Sequence, residues 1–305
     1  MPTIVRLGLF SPSVVLGVAA ETGALDRAGL RIEEVAATSS AQQFAALLAG
    51  ELDAVLTSPD NVLAYRGSAA NPLGRAADVR ILAAVDRGLG LSLFTAPGVD
   101  PGAGLRGGVL AVDVATSGFA FVAYELLARE GLRAGFDYTV HPVGSTPMRA
   151  AALIAGRYPM TVLNAGNDLR AEAAGCTRVS RASSLGPYMG TVLAAAGDRV
   201  EDATTPLRAL AEVLLAASRT LAEGRLREPA AAVAAARLGL DEAGVHRYLE
   251  TLTDPTEGLV PGGRLDGESL DTLRRLRSRY GNGGAGSAAA AAPGLVDERF
   301  LEDPP

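Results

Sequence analysis

Apolar and polar positions along the chain fall into two alternating patterns. Short apolar runs, the mark of buried or half-buried strands, occupy residues 4–10, 31–36, 53–57, 79–85, 89–95, 109–113, 138–143, 160–163 and 190–196. Between and after them, apolar residues recur every three or four positions. That spacing predicts helices over 14–28, 40–49, 60–66, 118–130, 146–155, 206–223, 229–237, 241–251 and 267–279. Strand–helix–strand alternation predicts α/β architecture with largely parallel sheets, because a parallel connection needs a crossover long enough to hold a helix.

The pattern repeats. Residues 44–61 form an apolar helix ending in Gly50, then a short strand, then the polar loop Ser58-Pro59-Asp60-Asn61. Residues 150–167 run the same way, with Gly156 after the helix and Asn164 and Asn167 in the loop, at an offset of 106 residues. Glycine suits the left-handed position that ends a helix. Upstream, strand 4–10, Ser11-Pro12-Ser13 and a helix ending at Gly29-Leu30 parallel strand 109–113, Thr116-Ser117-Gly118-Phe119 and a helix ending at Gly131-Leu132. Two related βαβα units predict two lobes around a cleft. The expected limits are 1–88 for the N-terminal part of lobe I, 89–192 for lobe II, and 193–305 for a return to lobe I with C-terminal helices and a tail. Gly281 to Pro293 is rich in Gly, Ala and Ser and reads as a loop.

In open α/β sheets, ligands sit at the carboxyl ends of strands, where helix N-termini offer unpaired N–H groups and partial positive charge. Ser11, Pro12 and Ser13 stand at such a position, although Ser13 equally suits an N-cap. Ser58 and Asn61 stand at the next strand–helix turn, with Asp60 between them as a ligand contact or a cap. Thr116, Ser117 and Phe119 form the turn best suited to a carboxylate, sulfonate or phosphate. Asp113 just before them would repel an anion and attract an amine. Asn164 and Asn167 are the repeat partners of Ser58 and Asn61. Tyr188, in Gly186-Pro187-Tyr188-Met189-Gly190, stands where it closes over a ring or packs at a hinge. Arg87 follows strand 79–85 and reads as a surface charge or as a partner for a ligand acid.

Composition narrows the chemistry. A chain of 305 residues that is 48% hydrophobic and 20% charged has enough apolar side chains for a sizeable core. Its net charge of −6 gives no basic face for nucleic acid. Every basic side chain other than the two histidines is arginine, so no lysine Schiff base can form. One cysteine, Cys176, and two histidines, His141 and His246, are too few for a Cys/His zinc site, and an internal disulfide is impossible. Nothing calls for a tightly bound cofactor. Cys176 reads as a buried, inert thiol. No apolar run is long enough to span a membrane. Met1 leads directly into the first strand without a leader pattern, so the chain reads as cytoplasmic; with a leader removed, the reading becomes periplasmic or cell-surface.

Four stretches carry a family resemblance: Ala20–Glu33, Ala46–Ala54, Leu105–Val109 with Thr116-Ser117-Gly118, and Leu270–Gly281 followed by Val296-Asp297 and Phe300-Leu301. Ala46-Leu47-Leu48-Ala49-Gly50-Glu51-Leu52-Asp53-Ala54 is similar to the A-L-x-x-G-E-L-D-A of the aliphatic-sulfonate, nitrate, taurine and thiamine-pyrimidine-precursor group of periplasmic binding proteins. The resemblance implies a monomeric type II binding protein, two lobes and a hinged cleft, that closes on a small polar, anionic solute for an ABC permease. Some relatives on this fold are enzymes, including a desulfinase with a cysteine nucleophile. The alternative expectation is therefore a cytoplasmic biosynthetic enzyme, lyase- or hydrolase-like, whose acid/base groups would come from His141, Asp60 or Asp113. A scaffold with an inert cleft is the third.

Overall fold

The structure, a computed structural model, describes residues 1–67, 69–281 and 294–301. The predicted Gly/Ala/Ser-rich loop lies outside the described residues over 282–293. The strands are β1 (Thr3–Leu9), β2 (Leu30–Ala36), β3 (Ala54–Thr57), β4 (Val79–Asp86), β5 (Ser92–Thr95), β6 (Val109–Val112), β7 (Thr139–Pro142), β8 (Met160–Leu163), β9 (Thr177–Arg181) and β10 (Thr191–Ala196). The helices are α1 (Val14–Glu21), α2 (Ala24–Arg27), α3 (Ser40–Leu48), α4 (Pro59–Gly67), α5 (Gly118–Arg129), α6 (Thr146–Ile154), α7 (Asn167–Ala173), α8 (Gly197–Asp202), α9 (Thr204–Ala222), α10 (Arg227–Leu238), α11 (Glu242–Thr253) and α12 (Gly267–Tyr280).

Two five-stranded sheets result, in the orders β2-β1-β3-β10-β4 and β7-β6-β8-β5-β9. The orders are equivalent: β1, β2 and β3 correspond to β6, β7 and β8, each set parallel. Each sheet then accepts one antiparallel strand that belongs to the other stretch of chain, β10 in the first and β5 in the second. The sequence repeat is thus the topological repeat. Gly50 and Gly156, the residues after its two helices, take φ of +73° and +66°, which a glycine adopts without steric cost.

Period-two alternation sends successive strand residues to opposite faces. Val192 and Ala194 join a core with Phe44, Leu47, Val62 and Ile81. Leu193 and Ala195 join a second core under α1, α9 and α10. The first core runs on into the second sheet through Leu93, Leu110, Val112 and Phe121, so one apolar body holds the two sheets together. Helix α12 packs on α5, with Leu273 and Leu276 in that shared core and Arg279 and Tyr280 both bonded to Glu125 at 2.8 Å. Leu295 and Asp297 bond to the backbone of Ile81 and extend the first sheet beyond β4.

Two predicted elements are shorter than the apolar pattern implies. Helix 14–28 breaks at Gly23, whose φ of +68° no right-handed helix accommodates. Strand 89–95 begins only at Ser92, because Gly88, Leu89 and Gly90 take φ of +114°, +47° and +79°. Three consecutive positive angles bend the chain where it passes from the first sheet to the second.

Candidate functional site

The chain ends of β1, β3, β4, β6 and β8 meet around a cavity of about 110 Å³ between the sheets. Its walls combine apolar side chains, among them Leu9, Val15, Leu56 and Leu259, with a polar set contributed by both lobes. Ser13 caps α1 by accepting the N–H of Leu16 at 3.2 Å, and Ser117 caps α5 by accepting the N–H of Ala120 at 3.2 Å. The remaining first-turn N–H groups of a helix have no acceptor within the helix. The N-termini of α1, α5 and α6 all reach the cavity wall, at Ser13 and Val14, at Ser117 and Gly118, and at Thr146. Their partial positive ends favour negative charge there.

Of the residues expected at a site, Ser11, Pro12, Ser13, Ser58, Asn61, Ser117, Phe119 and Asn164 line the cavity. Asn61 is fixed by a 3.1 Å bond from its Nδ2 to Thr57 Oγ1, and Asn164 Nδ2 donates to Gly88 O at the bend. Thr116 lies instead on a small adjoining recess with Arg277. Asn167 stands behind the wall, where its Nδ2 donates to Ser11 Oγ at 3.4 Å and joins the two lobes across the cleft. Tyr188 is buried beside Gly88, on the second crossing between the sheets. Asp60 pairs with Arg277, whose Nε lies 2.7 Å from its Oδ1. Arg87 pairs with Asp266 at 2.8 Å, off the cavity.

Among the wall residues that escaped the sequence reading as ligand contacts are Arg149, Asp86, Thr146 and Tyr248. Arg149 is only 2% exposed. Its guanidinium donates to Thr161 Oγ1 at 3.2 Å, Gly144 O at 2.6 Å, Thr146 Oγ1 at 3.1 Å and Val162 O at 3.3 Å. All four acceptors are neutral, and among the described residues no carboxylate comes within ion-pair distance of it. Burial pulls its pKa down from the usual arginine value, while Asp113 pulls the other way. A signal for Arg149 was present in the repeat, whose offset of 106 residues aligns it with Gln43, another polar residue on an apolar helix face.

Asp86 ends β4 and is 3% exposed. One oxygen accepts the Gly88 N–H at 2.8 Å. Burial pushes its pKa up to about 6, against the lowering effect of Thr191 and of that backbone bond. Asp113 also lines the cavity and accepts the Ser117 hydroxyl. The other acid/base candidates lie elsewhere. His141 is exposed on β7, 2.8 Å from the Tyr158 hydroxyl. Cys176 is buried in a small core with Phe94 and Leu163, and burial raises its pKa.

No family model matches the chain, and no curated protein matches it. Solved structures do. The alkanesulfonate-binding protein SsuA from Xanthomonas axonopodis pv. citri, bound to MOPS, superposes with a TM-score of 0.71 at 17% identity, covering 97% of this chain and 96% of its own. The periplasmic nitrate-binding protein NrtA from Synechocystis PCC 6803 gives 0.74 at 13% identity, covering 95% and 84%. A Candida albicans protein described as having the generic periplasmic binding protein fold gives 0.69 at 14% identity, covering 100% and 99%. The chain has that two-lobed α/β fold.

Proposed function

We propose that the protein is a solute-binding protein that closes by hinge motion on a small organic anion, as the receptor of an ABC importer does. Arg149 carries the reading. A guanidinium buried with no carboxylate in ion-pair contact, and only the longer-range pull of Asp113, costs several kcal/mol, and an anion in the cavity would offset that cost. The N-termini of α1, α5 and α6 add to the same preference. Apolar walls favour a ligand with a hydrocarbon body over a bare inorganic ion. The ligands of the two bacterial neighbours, an alkanesulfonate-type molecule and nitrate, are anions of this kind and of the bare kind respectively.

The hinge would be the bend at Gly88–Gly90 together with its return through Gly186–Gly190. The working lobe limits remain 1–88 and 193–305 for lobe I and 89–192 for lobe II. A permease partner implies work at the periplasmic or cell-surface side, where NrtA is described as acting; the fold lends no support to a cytoplasmic placement. Among the described residues no helix is long and apolar enough to cross a membrane.

A thermal-shift panel of alkanesulfonates, carboxylates, phosphate and nitrate tests the reading. A bound anion at about one hundred times its Kd should add roughly 2.7 kcal/mol of stability, a shift of a few degrees. An organic anion should outrank nitrate. A flat response to every anion would refute the proposal.

A further inference from the structure

Strand β4 stands at the edge of the first sheet, with β10 on one side only. A sheet edge presents a row of N–H and C=O groups that another strand can take. Residues 294–301 take part of that row. The Ile81 N–H donates to Leu295 O at 2.8 Å, the Asp297 N–H donates to Ile81 O at 2.9 Å, and Ile81 and Val296 form a parallel bridge. The segment places an apolar anchor in each of the two main cores, Leu295 at 5% exposure and Phe300 at 2%. Charge sets its register: Asp297 lies 3.4 Å from the Arg80 guanidinium, and Arg299 lies 2.9 Å from Glu201. Arg208 donates to Arg299 O and stands 5.6 Å from the centre of the Phe300 ring. None of these residues lines the inter-sheet cavity.

The segment and the helix before it belong to different lobes. Helix α12 packs on α5 of lobe II, where Arg279 and Tyr280 bond to Glu125. Among the described residues, the hydrogen bonds and ion pairs that 294–301 makes to other elements all end on β4, α8 and α9 of lobe I. Nothing in the docking therefore selects the copy whose α12 delivers the strand. Residues 282–293 join the two and reach at most roughly 40 Å. A strand from a neighbouring copy would make every contact that the chain's own strand makes, the condition under which exchange of an identical element costs little. We propose that the β4 edge takes residues 294–301 from a second copy of this chain, so that two copies join by reciprocal exchange of the strand. In that dimer, lobe II of each copy is joined through its α12 to lobe I of the other.

The first experiment uses the full wild-type chain. Exchange trades an intramolecular strand for an intermolecular one, and a tether of this length holds its end at an effective concentration on the order of 1 mM. Sedimentation should therefore show dimer at ~1% of monomer near ~10 µM and comparable amounts of the two near ~1 mM. A protein that stays monomeric over that range would overturn the proposal. Phe300→Asp removes one anchor and should hold the protein monomeric at the upper concentration, with its fold verified by circular dichroism. A dimer that persists in this variant uses another surface and rules out the exchange. Cross-linking then identifies the occupant. Copies carrying Ile81→Cys are mixed with copies carrying Val296→Cys and oxidised; Cys176 is buried, so the introduced thiols are the ones that pair. A covalent mixed dimer should form, increase with concentration, and disappear when Phe300→Asp is added to the Val296→Cys copy. Its absence between folded variants, or its survival in the unanchored copy, would contradict the exchange. The wild-type sedimentation needs no variant to fold.

Discussion

Gln43 in α3 and Arg149 in α6 occupy the same slot in two copies of one unit. Both are buried, at 0% and 2% exposure, and both tie a helix to the strands beneath it. Gln43 Nε2 donates to Gly8 O and Leu56 O at 3.2 Å. Arg149 donates to the carbonyl of Val162, the repeat partner of Leu56. Ser40 and Thr146 match in the same way, each buried at the start of its helix. The amide does the mechanical work in lobe I with no net charge. Lobe II does the same work with a cation, so its slot carries an electrostatic demand that the Gln43 slot lacks. The difference separates the two copies: what they share builds the lobes, and what they do not share puts a buried cation on the cavity wall.

The comparison can be broken by exchange. Gln43→Arg places an unpaired guanidinium in lobe I, at a position that is not on the wall of the inter-sheet cavity. It should destabilise the protein by about 3–5 kcal/mol in chemical denaturation; a neutral result would show that the slot tolerates charge by itself.

The carboxylate of Asp86 gives a pH test. Its folded pKa of about 6 stands above the ordinary 3.8, so between those values the folded chain binds the extra proton. The stability of the ligand-free protein should therefore fall as pH rises from about 4 to about 6, by up to about 3 kcal/mol from this group. Asp86→Asn should remove that part of the slope. Asp168, also buried and also pushed up to about 6, should leave a similar part behind. A slope unchanged in Asp86→Asn would contradict the burial argument.

Gly118 sharpens the closure side of the comparison. A Cβ there would lie 2.6 Å from the Asp60 Cβ of the opposite lobe, and Asp60 is held by Arg277. Gly118→Ala should weaken ligand binding ~tenfold in calorimetry, because the lobes can no longer meet at this point. Helix α5 itself should tolerate the change. The smallest effect belongs to the outer ties between lobe II and the segment around α11, Arg247–Glu172 at 2.6 Å and Arg181–Glu257. Both arginines are about half exposed, so Arg247→Gln should alter affinity by less than ~threefold, and added salt should erase the difference.

Much of the fold was legible because it rests on short-range signals. Most of the strand and helix periods, the glycines at helix ends and the offset repeat survive in the structure, while β9, α7 and α8 left no period in the sequence. The bend at Gly88–Gly90 was not, since Gly88, Leu89 and Gly90 read as the start of an apolar run until their backbone angles are known. The cavity was half legible. Serines and asparagines after strands announce helix starts, and eight of the eleven expected residues lie on its wall. Arg149 and Asp86 stayed hidden for a physical reason: an arginine in a helix and an aspartate at a strand end read as solvated unless the packing of α6 on β8, or of β10 beside β4, is already known. Thr116, Asn167 and Tyr188 have suitable chemistry, but a turn of backbone places them on a side recess, off the wall and buried beside Gly88.

Arg149 is the proposed seat of an anion. The decisive measurement is calorimetric titration of the tightest-binding anion of the panel into the wild-type protein and into Arg149→Gln, the variant that copies lobe I into lobe II. Gln43 shows that an amide can hold this slot, so the variant should fold, and circular dichroism with thermal melting verifies that it does. The expected loss in affinity is ~100-fold or more, about 2.7 kcal/mol. Affinity within about threefold of wild type, in a folded Arg149→Gln protein, would contradict it.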